Sequence, residues 1–148
     1  MNLDFNFLVE SPLRKDTLHE LGLRGAVEHG LEEATALLLN RVRTRYLRQE
    51  NAEGEAWEPS RAAFRRSFGI GRQGGGTLFD TGNLFHSIQI YPGIDPLQYA
   101  IGTDVPYGSK HQYGVGSLPV REFLGFNDGD AKLARSVLLK RINEALET

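Results

Sequence analysis

A long amphipathic segment near the N-terminus constrains the fold more than any other feature of this sequence. From about Arg24 to Gln49, apolar residues recur at every third or fourth position, which is the spacing of one face of an α-helix. The residues on this face are Val27, Leu31, Ala34, Leu38, Val42 and Tyr46. A stripe of this length needs burial against other elements, so the pattern predicts a long N-terminal helix that faces the core.

A second helix of the same kind is predicted at the C-terminal end, from about Asp130 to Leu146. Asp128 or Asp130 is expected to be its N-cap, because a short side chain with an oxygen acceptor can bind the free amides of the first turn. Ser11-Pro12 predicts a further, short helix that ends near Gly22. The apolar stripe of the C-terminal helix consists of Ala134, Leu138, Ile142 and either Ala145 or Leu146.

Two segments, Leu3–Phe7 and Ser87–Tyr91, alternate between apolar and polar residues, as half-buried β-strands do. A third segment, Gln98–Thr103, is predicted to be the strand that returns beside the second. Pro92–Pro96 has the composition of a turn, so the second and third segments together predict a β-hairpin. Short helices are predicted at Arg61–Phe68 and Pro106–Tyr113.

Composition excludes several classes of protein. The chain has 148 residues, the length of one domain, and we expect residues 1–148 to form it. It contains no cysteine, which excludes a disulfide scaffold and any thiolate zinc or iron–sulfur site. No apolar run approaches the roughly 18 residues of a membrane helix. The N-terminus also lacks the basic start and apolar run of a signal peptide, so we expect neither a membrane location nor export by that route.

Charge is distributed unevenly along the chain. The net charge is -2, yet residues 41–72 contain eight arginines and four glutamates, a balance of +4 that leaves -6 for the rest. Such asymmetry predicts a surface that meets a partner of opposite sign, and an ordinary solvated face explains it equally well. A small nucleic-acid-binding protein that uses the Arg41–Arg72 region is the alternative function. The glutamates in this region and the acidic net charge count against it.

No motif for catalysis or cofactor binding stands in the structural context that its chemistry requires. Residues 69–74 have the letters of the dinucleotide fingerprint G-x-G-x-x-G, but helix-like sequence precedes them and more glycine follows, where the fingerprint needs a strand and a helix. The histidines show no zinc-binding spacing. There is no nucleophile elbow. The sequence therefore predicts a protein that is not an enzyme, with no cofactor and no metal. The four histidines are His19, His29, His86 and His111.

Five aromatic residues mostly lie beside glycine, proline or loop positions rather than in the helical stripes. Rigid aromatic side chains bury a large area at little entropic cost, so they suit a protein interface as well as the packing of loops on a core. Gly69–Gly76 has five glycines in eight residues and is expected to be a mobile loop, because ordering glycine costs much backbone entropy. The aromatic residues are Trp57, Tyr99, Tyr107, Tyr113 and Phe123.

A series of short sequence elements occurs in one order between Arg45 and Gly125. It begins with an arginine-bearing helix end, an acidic loop and a W-x-P element. Then follow L-x-x-T-G-x-L-x-x-S-I, an aromatic-alanine pair with I-G-T, Y-x-x-x-H-Q-x-G and P-x-R-x-F-L-G. In this order the elements resemble the virion-morphogenesis, or tail-completion, family of tailed bacteriophages. They are Arg45–Ala56, Trp57–Pro59, Leu78–Ile88, Tyr99–Thr103, Tyr107–Gly114 and Pro119–Gly125.

The resemblance implies an α+β fold with a curved, mainly antiparallel sheet flanked by the long N-terminal helix and the C-terminal helix. It also implies a structural virion protein at the head–tail junction, assembled in the host cytoplasm as a homo-oligomeric ring, which we expect to be a hexamer. The expected partners are further copies of the chain, the neighbouring head–tail connector or adaptor proteins and the tail-terminator protein. Double-stranded DNA would only pass through the ring, and no cofactor or membrane is implied.

The arginine-bearing middle of the chain is expected to meet carboxylates of a neighbouring protein rather than DNA, because a channel that transmits DNA should not grip phosphate. Arg121, between Pro119 and Phe123, is placed for a carboxylate on a neighbour, and a contact within the chain would explain it equally well. The residues predicted to contact protein partners are Trp57, Arg61, Arg65, Arg66, Arg72, Tyr99, Tyr107, His111, Tyr113, Arg121 and Phe123.

Overall fold

The computed structural model describes residues 6–10, 22–69, 76–79, 81–95 and 97–147. The predicted helix that begins at Ser11-Pro12 and most of the glycine-rich segment lie outside this part of the chain. The fold is α+β, as the resemblance implied. In chain order its elements are β1 (Asn6–Glu10), α1 (Arg24–Arg48), α2 (Arg61–Ser67), α3 (Asn83–Ser87), β2 (Gln89–Pro92), β3 (Gln98–Gly102), α4 (Gly108–Tyr113) and α5 (Asp128–Leu146).

Helix α1 confirms the prediction of a long amphipathic helix from Arg24 to about Gln49. Every residue of its apolar stripe is buried. The helix ends where Gln49 adopts a left-handed backbone with a φ of 60°. The Gln49 amide then donates to the Tyr46 carbonyl oxygen (3.0 Å), which satisfies one of the carbonyl groups left free at a helix C-terminus.

Helix α5 packs along α1, and a glycine sets how closely the two helices approach. A Cβ atom at Gly30 of α1 would lie 3.1 Å from Cδ2 and 3.4 Å from Cα of Leu138 on α5. Farther along the contact, Arg141 Nε donates to Glu33 Oε2 (2.7 Å). The apolar stripes of both helices contribute to a single cluster of buried side chains that also includes Ile101 of the sheet.

The N-terminus of α5 corrects the predicted cap. The N-cap is Asn127, and neither Asp128 nor Asp130 holds that position. Asn127 Oδ1 accepts from the Asp130 amide (2.9 Å), and the Asp130 carboxylate accepts from the Asn127 amide (3.1 Å). This reciprocal pair is a capping box in which an aspartate occupies the third helical position. The carboxylate of Asp130 is thereby left facing α1.

Asp130 also binds two arginines of α1. The Arg45 guanidinium donates to both carboxylate oxygens of Asp130 (2.8 and 2.7 Å), and Arg41 Nη1 donates to Oδ1 (3.1 Å). Asp130 is only 1% exposed. Burial alone would raise the pKa of Asp130, but the hydrogen bonds from Arg45, from the Asn127 amide and from Arg41 outweigh it and hold the pKa below its usual value.

In the described part of the chain, three strands form an antiparallel sheet in the order β1-β3-β2. The predicted hairpin is confirmed: Ile90 of β2 lies opposite Ile101 of β3, and the Gly93 amide donates to the Gln98 carbonyl oxygen (2.8 Å). Strand β1 pairs with the other edge of β3, with Phe7 opposite Ile101. It ends three residues later than the predicted strand Leu3–Phe7, whose first residues lie outside the described part of the chain.

Candidate functional site

Sequence elements that are distant along the chain meet around one cleft of about 820 Å³. They belong to the W-x-P, T-G-x-L, Y-x-x-x-H and P-x-R elements that carry the family resemblance. The cleft combines apolar walls with arginine, histidine and tyrosine side chains. Its lining residues in the described part of the chain are Glu58–Ala62, Arg66, Leu78, Thr81–Leu84, Tyr107, His111, Ser117–Pro119 and Arg121.

The end of α1 fixes the cleft wall that contains Leu78. The side-chain amide of Gln49 donates to the Thr77 carbonyl oxygen (2.9 Å) and accepts from the Thr77 amide (2.8 Å). The Tyr46 hydroxyl donates to the Leu78 carbonyl oxygen (2.5 Å). Leu78 has a φ of 63°, a conformation that costs free energy in a residue with a Cβ atom. These three hydrogen bonds therefore hold the wall in a conformation that its own sequence does not favour.

The T-G step of the second wall is a tight turn. Gly82 has a φ of 80° and precedes the first residue of α3. The Thr81 hydroxyl accepts from the Asn83 amide (3.3 Å), which is the local side-chain bond expected of threonine before a helix. Leu84 then lies buried between this turn and the core.

Trp57 and Phe123, two of the predicted interface residues, pack inside the molecule. Both rings meet Tyr46 edge to face, with centroid distances of 5.2 Å for Trp57 and 5.9 Å for Phe123. Trp57 Nε1 also donates to the Glu122 carbonyl oxygen (3.0 Å). Contacts within the chain thus account for both rings.

Arg121 lies in the cleft wall and is only 4% exposed. Its Nε donates to the carbonyl oxygen of Glu58 (2.7 Å), and its backbone amide donates to the carbonyl oxygen of His111 (2.8 Å). Within the described residues, no carboxylate oxygen lies within 4 Å of the Arg121 guanidinium. Burial lowers the pKa of Arg121, and the more distant Glu58 carboxylate offsets this in part.

His111 is the neighbour of Arg121 in the cleft. Its ring meets Tyr107 edge to face at 6.3 Å. Its Nδ1 is buried and has no hydrogen-bond partner among the described residues. Burial, and secondarily the charge of Arg121, lower the pKa of His111. The imidazole is therefore held toward its neutral form in a site that carries a buried cation.

Gln112 is a positioning residue that the sequence reasoning did not single out. Its Oε1 accepts from the amides of Phe123 and Leu124 (3.1 and 3.0 Å), and its Nε2 donates to the Leu124 carbonyl oxygen (2.7 Å). A buried side-chain amide with all these bonds fixes the segment that carries Arg121. Its place beside His111 in the Y-x-x-x-H-Q-x-G element was the available signal.

Gly114 closes the same element and allows a close approach of two backbone segments. Its φ is 67°, and a Cβ atom there would lie 2.9 Å from the Leu118 carbonyl oxygen and 3.1 Å from the Val120 amide nitrogen. Only glycine fits such a position without a shift of the backbone.

Helix α2 carries the remaining predicted cations. Ser60 caps it, accepting from the Ala63 amide (3.0 Å), and Arg61 and Arg65 are exposed on its surface. Arg66 is half-buried and donates to the Gly76 carbonyl oxygen (2.7 Å). Phe64 and Phe68, which the sequence reasoning did not include, are exposed and meet at 4.9 Å. The helix therefore presents both charge and aromatic surface.

The structure thus brings five of the eleven predicted interface residues to one cleft. Tyr99 lies on the sheet, where its hydroxyl donates to Glu32 Oε1 (3.1 Å), and Tyr113 is exposed at the end of α4. Arg65 lies outside the cleft lining, and Arg72 falls outside the described residues. The predicted contacts of all eleven with partners stay a prediction. The five that meet are Arg61, Arg66, Tyr107, His111 and Arg121.

The described part of the chain shows no cluster of acidic or histidine side chains suited to hold a metal ion. In the same part, no helix has the length and apolar character needed to cross a bilayer.

Comparison with known proteins identifies the class. The model of the phage virion morphogenesis family matches residues 15–143, which contain every element of the resemblance and the whole cleft lining. The chain belongs to this family, which confirms the resemblance, and it is a virion-associated protein with a structural and morphogenetic role in a bacteriophage. Comparisons with curated proteins and with solved structures gave no match.

Proposed function

We propose that this protein is a ring-forming component of the neck or tail end that joins head to tail and lets DNA pass. The family match over residues 15–143 carries the proposal. The ring is a hexamer of this chain at the head–tail junction, assembled in the host cytoplasm. Its other partners are the adjacent connector or adaptor protein on one side and the tail-terminator protein on the other. The protein acts by contact and uses neither a cofactor nor catalysis.

The surface of the subunit supports a ring. A closed ring requires heterologous contacts, in which one patch of a subunit meets a different patch of the next. The exposed aromatic and cationic side chains of α2 offer one such patch, and the cleft offers a concave one. Exposed aromatic and arginine side chains are enriched at protein interfaces.

Contacts within the chain weaken the nucleic-acid-binding alternative. Arg41 and Arg45 bind the buried carboxylate of Asp130, and Arg43 Nη2 donates to the Ile88 carbonyl oxygen (2.8 Å). With Arg66, which donates to the Gly76 carbonyl oxygen, at least four of the eight arginines in the Arg41–Arg72 region are engaged by contacts within the described part of the chain. This agrees with a ring that lets DNA pass without holding it, since every phosphate that is neutralised adds affinity.

Phage particles made without this protein test the proposal. We expect negative-stain images to show separate, complete heads and tails, and a plasmid-borne copy of the gene to restore joined particles. A map of the neck should then show the protein as a hexameric ring. Normally joined particles without the protein, or a single copy in the neck, would refute the proposal.

A further inference from the structure

We propose that the cleft is the receptor for an acidic chain segment of an adjacent protein subunit, and that a carboxylate of that segment pairs with Arg121 and Arg61. The inference rests on the proposed function, because it names the contact through which a subunit of the ring would hold its neighbour. It assigns a partner chemistry to a site that the family match alone leaves without one.

The argument starts from Arg121. A guanidinium that leaves water loses hydration free energy, and an ion pair or a set of hydrogen bonds normally compensates. Arg121 has one hydrogen bond to a carbonyl oxygen and, among the described residues, no carboxylate within 4 Å. The planar group has further donors, and a carboxylate can accept two of them side by side. A carboxylate from outside the subunit would complete this site.

The charge around Arg121 favours the same ligand. Among the described lining residues, Glu58 is the single carboxylate, whereas three are arginines, namely Arg61, Arg66 and Arg121, so the lining carries a net positive charge. His111, held toward its neutral form, has a buried Nδ1 without a hydrogen-bond partner in the described part of the chain. An incoming negative charge stabilises the cations and makes protonation of this imidazole easier.

The shape of the cleft favours a peptide over a DNA duplex. Its volume of about 820 Å³ is that of a site for a few residues. Its walls include Leu78, Leu84 and Leu118, which suit apolar side chains on either side of a carboxylate. A duplex is bound instead by several cations spread along a surface. The three described arginines of the lining, Arg61, Arg66 and Arg121, are grouped in one concave site, and Arg121 is buried.

A synthetic peptide of alternating glutamate and leucine is a direct probe. We expect it to shift the imidazole resonances of His111 in NMR spectra of the intact protein and to raise the pKa of that imidazole. The matched peptide with glutamine in place of glutamate should bind about tenfold more weakly, since it lacks the charge. A short DNA duplex should leave the His111 resonances in place.

Two charge-reversal variants of α2 test whether the glutamate peptide binds in the cleft. Arg61 lines the cleft, whereas Arg65 is exposed on the same helix outside it. We expect Arg61→Glu to weaken binding of the glutamate peptide about tenfold, and Arg65→Glu to change it less than twofold. Equal effects of the two variants, equal binding of the two peptides, or a shift of His111 with DNA would each overturn the inference. The wild-type NMR measurement decides the matter even if a variant folds poorly.

Failure of this inference and failure of the proposed function are distinguishable. If the peptide does not bind but particles without the protein still fail to join, the protein is a joining component that uses another surface. If particles without the protein join normally, the proposed function fails, whatever the peptide does.

Discussion

At the scale of single residues, Asp130 joins the N-terminus of α5 to α1. It takes part in the capping box of α5 and accepts hydrogen bonds from Arg45 and Arg41 of α1. One buried carboxylate therefore fixes both the start of one helix and its position on another. Such a group stabilises only as long as it is ionised, because the arginines and the Asn127 amide all donate to it.

Asp130→Asn is expected to lower the free energy of unfolding by about 3 kcal/mol, because it leaves Arg45, whose side chain is 13% exposed, without its counter-ion. Urea unfolding at neutral pH measures the change. Asp128→Asn is the matched control: Asp128 is exposed in the first turn of the same helix, and its replacement should cost less than about 0.5 kcal/mol. Equal losses in the two variants would show that the ion pair contributes nothing.

The difference between wild type and Asp130→Asn should also depend on pH. The folded-state pKa of Asp130 lies below the usual value of 3.8. The carboxylate therefore stabilises the fold fully above that value, and the stabilisation is lost as pH falls through the lower, folded-state pKa. The difference should stay constant from pH 7 to about pH 5 and shrink below about pH 4. A constant difference down to strongly acidic pH would contradict the assignment.

At the scale of secondary-structure elements, what the sequence predicts depends on how local the signal is. Helices α1 and α5 and the β2–β3 hairpin were predicted because their apolar periodicity and turn residues lie within the element itself. The N-cap of α5 was missed by one residue, since Asn127, Asp128 and Asp130 can all cap. The pairing of β1 with β3 joins segments from opposite parts of the chain, and no local pattern specifies it.

The candidate site was also only partly predictable, because local patterns do not specify contacts between distant parts of the chain. The sequence identified Arg61, Tyr107, His111 and Arg121 by residue type and motif, but it did not place them around one cleft. The bond between Arg121 and the Glu58 carbonyl oxygen spans 63 residues, and such a contact is decided by the whole fold. For the same reason, no local pattern indicated that Trp57 and Phe123 pack on Tyr46 in the core.

The crossing of α1 and α5 can be tested through its glycine. Gly30→Val should lower the free energy of unfolding by about 1–3 kcal/mol, because the branched side chain would overlap Leu138 and push the helices apart. Gly25→Ala is the control in the same helix, where a Cβ atom would meet nothing within 4 Å. That substitution should be neutral or stabilising by up to about 1 kcal/mol, since alanine favours helix. Urea unfolding of both variants measures the contrast, and a Gly30→Val protein as stable as wild type would mean that the helices do not depend on this close approach.

At the scale of the whole molecule, the exposed arginines of α2 bear on assembly. Arg66 donates to the Gly76 carbonyl oxygen, so reversing its charge would also disturb the subunit. The double variant Arg61→Glu with Arg65→Glu should disturb the subunit less, because both side chains are exposed. We expect unfolding free energies within about 0.5 kcal/mol of wild type and a loss of joined particles in complementation.

Infectious particles that carry the doubly reversed protein, with an altered rate of DNA ejection, would place these arginines on the channel instead. A protein that no longer folds would be recognised by its circular dichroism spectrum. In that case the matched pair Arg61→Gln and Arg65→Gln removes the charges with less disturbance of the surface.

The pairing of α1 with α5 has a consequence for folding during synthesis on the ribosome. Arg41 and Asp130 are 89 residues apart in the chain, and Glu33 and Arg141 are 108 residues apart. Translation therefore releases the apolar stripe of α1 long before the helix that covers it exists. At bacterial elongation rates this delay is on the order of ten seconds. During that interval the apolar stripe of α1 lacks the helix that covers it in the folded protein, which exposes the nascent chain to aggregation.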